Sequence, residues 1–231
     1  MKKMLFSSFL FLSLALCLVS SGRAAVLDDV RVGITAHNRG DYDEAIRLYT
    51  KAIASGELSR DELWRVYVSR GWDWSLKGDH DRGIADITKA IELEPRCAPC
   101  YLQRGLVWQL KGTYDRAIAD HNKAIELDPQ YAFAYRGLSW LLAVCPQSKY
   151  RNGAKAINLA TKAVELRGNA FDINTLAAAY AEAGRFQDAI RTEERAIAKL
   201  KEEGNTQDIT RYEERLASYK AGKPWREGKG K

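Results

Sequence analysis

From about residue 26 to residue 202, apolar side chains recur at three- and four-residue spacing in blocks of three to four helical turns. A glycine parts each pair of blocks, and a proline or glycine closes the pair. The pattern predicts helix hairpins, repeated along the chain. Lys77, Gly78, Asp81 and Arg82 return as Lys111, Gly112, Asp115 and Arg116, and Ala90 to Pro95 returns as Ala124 to Pro129, each pair offset by 34. Related turns stand at Arg39 to Ile46 and Ala183 to Ile190. The wider intervals each hold four extra residues, expected around Ser55 to Ser59 and in Cys145 to Gly153.

Within each unit, Gly78 or Gly112 suits the left-handed residue that ends the first helix, and Asp79 or Thr113 can then cap the second. Small residues hold matched places on the two helices: Gly71 with Gly83, Gly105 with Ala117, and Ala177 with Ala189. They let the backbones approach closely, while Trp74, Trp108 and Tyr180 fill space toward neighbouring hairpins. One hairpin cannot bury its own apolar face, so the units must stack.

The same register places Arg70 and Arg104 opposite Asp86 and Asp120. Other units change both places together, to Val32 with Leu48 and Leu138 with Leu159, with Leu176 and Thr192 intermediate. Intra-repeat ion pairs are therefore expected in the second and third units.

The unit resembles the tetratricopeptide repeat, a helix-turn-helix of 34 residues. Tyr67, Gly71, Trp74, Ala90 and Pro95 carry the likeness in one unit, and Tyr101, Gly105, Trp108, Ala117, Ala124 and Pro129 in the next. The fourth unit departs, with Ser139 where a small glycine or alanine is usual. The resemblance implies an all-α solenoid of stacked antiparallel hairpins spanning 25–220. The hairpins fall at about 26–59, 60–95, 96–129, 130–168 and 169–202, with a capping helix at 206–219 presenting Ile209, Tyr212, Leu216 and Tyr219. A basic tail, 221–231, is expected to be loose, except through Trp225. Cys145-Pro146, Tyr150 to Gly153, Leu176 to Gly184 and Pro224 to Glu227 resemble a narrower group of bacterial repeat proteins without an agreed activity.

Ahead of the repeats, Lys2 and Lys3 precede an apolar run from Met4 to Val19, followed by small residues at Gly22 and Ala24. This reads as a secretory signal peptide, 1–24, implying an exported protein, periplasmic or secreted, in a bacterium. An uncleaved anchor, or acylation at Cys17, are the alternatives. Losing Lys2, Lys3 and Arg23 lowers the formal charge from +6 to +3. Acidic and basic residues alternate as on solvated helix faces, which leaves no nucleic-acid footprint.

In a superhelix of such hairpins the first helices line the inner groove, here Val30, Ile34, His37, Arg65, Ser69, Trp72, Leu102, Leu106, Gln109, Arg136, Trp140, Asn174 and Ala178. Trp72 and Trp140 are candidate anchors, or are simply packed between helices; Arg65 and Arg136 are candidate holders of acidic groups. Chaperone-binding members of the family grip a terminal carboxylate with polar residues. Here Val68, Trp72, Leu102 and Leu106 stand in those places, so an apolar segment with a few acidic groups fits better.

Cys97 and Cys100 frame Cys-Ala-Pro-Cys at a helix start. A structural disulfide or buried thiols, a tuned redox pair, and half of an intermolecular metal site all fit the spacing. No catalytic motif, phosphate loop or ligand-spaced histidine set occurs, and Glu193 and Glu194 read as a solvated face. The sequence thus points to a non-enzymatic scaffold or assembly factor of the cell envelope, without cofactor, binding another protein or peptide. The alternative is a thiol-disulfide helper using Cys97 and Cys100; self-association through exposed hairpin faces is a third class.

Overall fold

The computed structural model describes residues 5–205 and 207–227, with side chains from Gly22 onward. The described residues form eleven α-helices and one short 3-10 turn. The chain divides into two compact units, Met1–Arg96 and Cys97–Lys231.

The first unit holds two hairpins, α1 (Leu5–Asn38) with α2 (Tyr42–Ala54) and α3 (Arg60–Leu76) with α4 (His80–Leu93), α2 lying against α3. Lys2 and Lys3 of the expected leader lie outside the described residues, as do the side chains of its apolar run. No described helix is long and apolar enough to cross a membrane. Ser59 opens α3 with a capping box: its hydroxyl accepts from the Glu62 N–H, while Glu62 accepts from the Ser59 N–H.

The second unit holds three hairpins and a closing helix. These are α5 (Ala98–Leu110) with α6 (Tyr114–Leu127), α7 (Ala132–Val144) with α8 (Gly153–Leu166), and α9 (Ala170–Glu182) with α10 (Phe186–Glu202); α11 (Ile209–Lys220) packs on α10. The extra residues of the fourth hairpin form the connection from Cys145 to Asn152, including the turn Ser148–Tyr150. Asn152 ends it by accepting from the Lys155 N–H at the start of α8.

The hairpins close as their small residues dictate. A Cβ on Gly71 would stand 2.8 Å from the Gly83 carbonyl oxygen, and one on Gly83 would stand 2.6 Å from that of Gly71. Backbone meets backbone there. Ser139 keeps the contact in the fourth hairpin, because its hydroxyl donates to the Ala156 carbonyl at 2.8 Å and so uses its extra atom as a bond. Gly105 and Gly137 instead make room for His121, which is fully buried. Its imidazole is driven down to about 4 by desolvation.

Gly78 takes φ +89° and Gly112 φ +78°, a left-handed conformation that favours glycine. Asp79 then caps α4 by accepting from the Arg82 N–H. Thr113 occupies the equivalent place, but its side chain makes no capping bond.

Both anticipated ion pairs form, and both are bidentate. Arg70 reaches Asp86 through two bonds of 2.7 Å, and Arg104 reaches Asp120 at 2.8 and 2.9 Å. Their side chains are largely buried, so solvent screens these pairs less than surface ones. The apolar substitute holds for Leu138 and Leu159, which share one core. In the first hairpin Leu48 is buried while Val32 is 40% exposed, because the Tyr49 ring fills the hollow beside Gly33 instead.

Candidate functional site

In the first unit, the face of α1 and α3 carries Val30, Ile34, His37, Arg65, Ser69 and Trp72. Val30 packs on the hairpin core around Ala45 and Tyr49, whereas Ile34 is 48% exposed. Arg65 is exposed, ion-paired to Asp61 and lying over the Trp64 ring at 4.5 Å. Trp72 is half-buried. His37 reaches across to α3, its Nδ1 2.5 Å from Oδ1 of the fully buried Asp73, whose carboxyl burial pushes up.

In the second unit, Leu102 leaves the predicted surface for the core, 5% exposed among Ala98, Ala124 and Ala134. Leu106 packs on the same core and Ala178 is buried. Asn174 is buried as well. Its amide nitrogen donates to both Glu193 oxygens, at 2.7 and 2.8 Å, and its oxygen accepts from Arg215 at 3.0 Å. Glu193 therefore does not belong to a solvated face: it is fully buried, and desolvation pushes its carboxyl up to about 8 against the pull of Asn174 and Arg215. Glu194 does face solvent, paired with Lys220.

Trp140 and Gln109 meet the protein's own chain. The Trp140 indole N–H donates to Glu227 Oε1 at 2.6 Å and the Gln109 amide to Oε2 at 3.1 Å, while the Glu227 N–H donates to the Val144 carbonyl at 3.1 Å. Arg226 pairs with Glu182 at 2.6 Å, and Trp225 packs against the cores around Leu141 and around Ala177 and Tyr219. The expectation of a loose tail fails through Glu227. Charge balance suggested solvation, but Arg226 and Glu227 each have specific partners on α7 or α9, or at the C-terminal end of α5, while Lys223 is exposed; residues 228–231 lie outside the described residues. Arg215 of the capping helix completes the arrangement, 4.9 Å from the Trp140 ring and 5.6 Å from that of Trp225.

Arg136 differs from its neighbours. The other arginines of this unit that are not exposed each have an oxygen partner: Arg104 with Asp120, Arg151 and Arg226 with Glu182, Arg167 with Asp172, and Arg215 with Asn174. Arg136 has no hydrogen-bond acceptor among the described residues. Its guanidinium lies over the rings of Phe133 and Phe171, at 5.2 and 5.9 Å, and both rings are 39% exposed. Burial and the neighbouring Arg167 hold its pKa below the ordinary arginine value. Phe133 and Phe171 were not singled out in the sequence, although both stand in the first turn of a first helix.

Cys97 and Cys100 form a disulfide, with both residues buried at the start of α5. A buried disulfide cannot be reached by a protein thiolate without local opening, which counts against the thiol-exchange reading. Cys145 is a free, buried thiol whose pKa desolvation raises. Among the described residues no group of three or more metal-ligating side chains occurs.

Hairpins of this kind, stacked with close glycine contacts, define a helical repeat protein. Residues 31–61 and 77–132 each match a family model described as a tetratricopeptide repeat. The chain carries tetratricopeptide repeats. It is similar in structure to a thermophilic protein of that kind from Thermus thermophilus, with a TM-score of 0.66 and 17% identity over 85% of this chain and 99% of the other. A tetratricopeptide repeat protein from Parabacteroides merdae gives 0.61 and 14% over 86% and 77%. A chain of the Cut9–Hcn1 hetero-tetramer of the APC/C gives 0.70 and 17% over 85% and 36%. At these identities the likeness establishes the fold alone. No curated protein sequence matches the chain.

Proposed function

We propose that this chain is a non-enzymatic scaffold or assembly factor of the bacterial cell envelope, holding an apolar polypeptide segment with acidic groups against its first helices. Tetratricopeptide repeats indicate a protein–protein interaction scaffold. The envelope assignment comes from the basic, apolar and small-residue order of the first 24 residues. The groove assignment rests on Arg136, a half-buried guanidinium with no hydrogen-bonded carboxylate among the described residues, walled by two half-exposed phenylalanines. A carboxylate on an aromatic or aliphatic segment meets both needs of that site, charge pairing and apolar cover. Trp72 and Ile34 offer a comparable apolar surface on the first unit.

The test is photocross-linking in intact cells from a reactive residue placed at position 34, with a control at Glu92 on a second helix. Discrete polypeptide adducts are expected from position 34 and from a second probe at position 171, but not from position 92, the first lost on Trp72→Ala and the second on Arg136→Gln in chains of unchanged helicity. Equal adducts from position 92, or insensitivity to both substitutions, overturns the reading. Fractionation of the same cells tests the envelope assignment: chain retained in the cytoplasm with its first 24 residues intact overturns it.

A further inference from the structure

The segment Pro224 to Glu227 has neither helix nor strand, is half-buried, and begins just beyond the point where α11 is already closed. Gly222, at φ +68°, and the bond from the Lys223 N–H to the Ser218 carbonyl finish the helix. Past that turn the chain lies along the ends of α5, α7 and α9 as a separate peptide would. It uses one main-chain bond to the terminal carbonyl of α7, one indole, one guanidinium and one carboxylate. None of these requires a covalent connection to α11.

The receiving side chains are arranged for an acid. Trp140 and Gln109 point their N–H groups at the two oxygens of a single carboxylate, and Arg215 holds positive charge between the Trp140 and Trp225 rings. One receiving atom stays unused: Gln109 Oε1 is buried with no hydrogen-bond partner. A buried amide oxygen left unpaired is costly, so an occupant that also brought a donor to it would fit better than the resident segment does.

We infer that the face made by α5, α7 and α9 is a receptor for an extended peptide bearing an indole followed two residues later by a carboxylate, and that Trp225 and Glu227 fill it in cis until a partner segment of that chemistry displaces them. This rests on the first helices being a polypeptide-binding face, and adds to it the identity of the recognised motif. A tether of a few residues presents its own motif at an effective concentration in the millimolar range, which sets the competition a partner must overcome.

The experiment uses the full chain and a fluorescein-labelled decapeptide with the sequence of residues 222–231. Fluorescence anisotropy compares the unsubstituted chain with the double variant Trp225→Ala, Glu227→Ala. The double variant is expected to bind the probe at least tenfold more tightly, and a probe with glutamine in place of its glutamate is expected to bind it at least tenfold more weakly. Equal affinity of both chains, or no binding by a double variant of unchanged helicity, overturns the inference. If that variant does not fold, Gln109→Glu replaces it: it repels the resident carboxylate, so it should prefer the glutamine probe to the glutamate probe, and the opposite preference overturns the inference. Cross-links from position 34 that persist while the probe fails leave the scaffold reading standing and remove only this one.

Discussion

Trp140 on α7 and Glu227 beyond α11 share a hydrogen bond of 2.6 Å, indole N–H to carboxylate, across 87 positions of sequence. The contact fixes where the polypeptide goes after its last helix. Trp140→Phe keeps a ring and removes the donor. A hydrogen bond to a charged group is worth about 1.5–3 kcal/mol, so the docked segment should open roughly ten- to a hundredfold more often, read as faster trypsin cleavage after Arg226. An unchanged cleavage rate would show that the Trp225 packing and the other polar contacts hold the segment without this bond.

Gly71 and Gly83 test the close approach of α3 and α4. Gly71→Ala places a methyl 2.8 Å from a backbone oxygen that cannot swing away. The helices must part, at a cost of about 1–3 kcal/mol, measured as a lower urea midpoint.

Glu193 and His121 give stability opposite dependences on pH. Glu193 is raised from 4.5 to about 8, so above 4.5 the unfolded chain has released a proton that the folded chain still holds, and stability falls as pH rises toward about 8. His121 is lowered from 6.5 to about 4, so between these values the unfolded chain binds the extra proton and stability rises with pH. The two oppose each other from 4.5 to 6.5, and above 6.5 the His121 effect is spent while that of Glu193 continues to about 8. Glu193→Gln should flatten the thermal midpoint across that upper window; a slope that survives assigns the titration elsewhere.

The disulfide between Cys97 and Cys100 closes a very short loop, so its removal should cost about 2 kcal/mol by chain entropy. Cys97→Ser with Cys100→Ser is expected to lower the thermal midpoint by a few degrees and leave cross-linking from position 34 unchanged. Loss of the adduct in a folded double variant would restore the thiol-exchange alternative.

The hairpins were legible in the sequence because their determinants recur. Gly71 and Gly83 stand at places that Ala177 and Ala189 also fill, and the Arg70–Asp86 pair declared itself by changing both members together in other units. Trp140 was legible as a first-helix residue, but not its occupant. Trp225, Arg226 and Glu227 occur once, without a repeat to give their register, and their composition is that of a solvated tail. Glu193 was misread for the same kind of reason. Nothing local distinguishes it from Glu194, since what buries it is Asn174 of the preceding helix and Arg215 of the next.

Glu182 is ion-paired with two guanidiniums, Arg151 from the long connection of the fourth hairpin and Arg226 from the docked segment. Arg151 also donates to the carbonyls of Cys145 and Pro146, so one acid anchors both pieces of irregular backbone. Two cations on one anion repel each other, yet each is attracted to the acid that they share. By thermodynamic reciprocity, lifting Arg226 away changes the hold on Arg151 by as much as lifting Arg151 away would change the hold on Arg226. Order in the stretch from Cys145 to Asn152 is thereby tied to occupancy of the face beside Trp140, and a spectroscopic label on that stretch would report, from a distance, whether the face is filled.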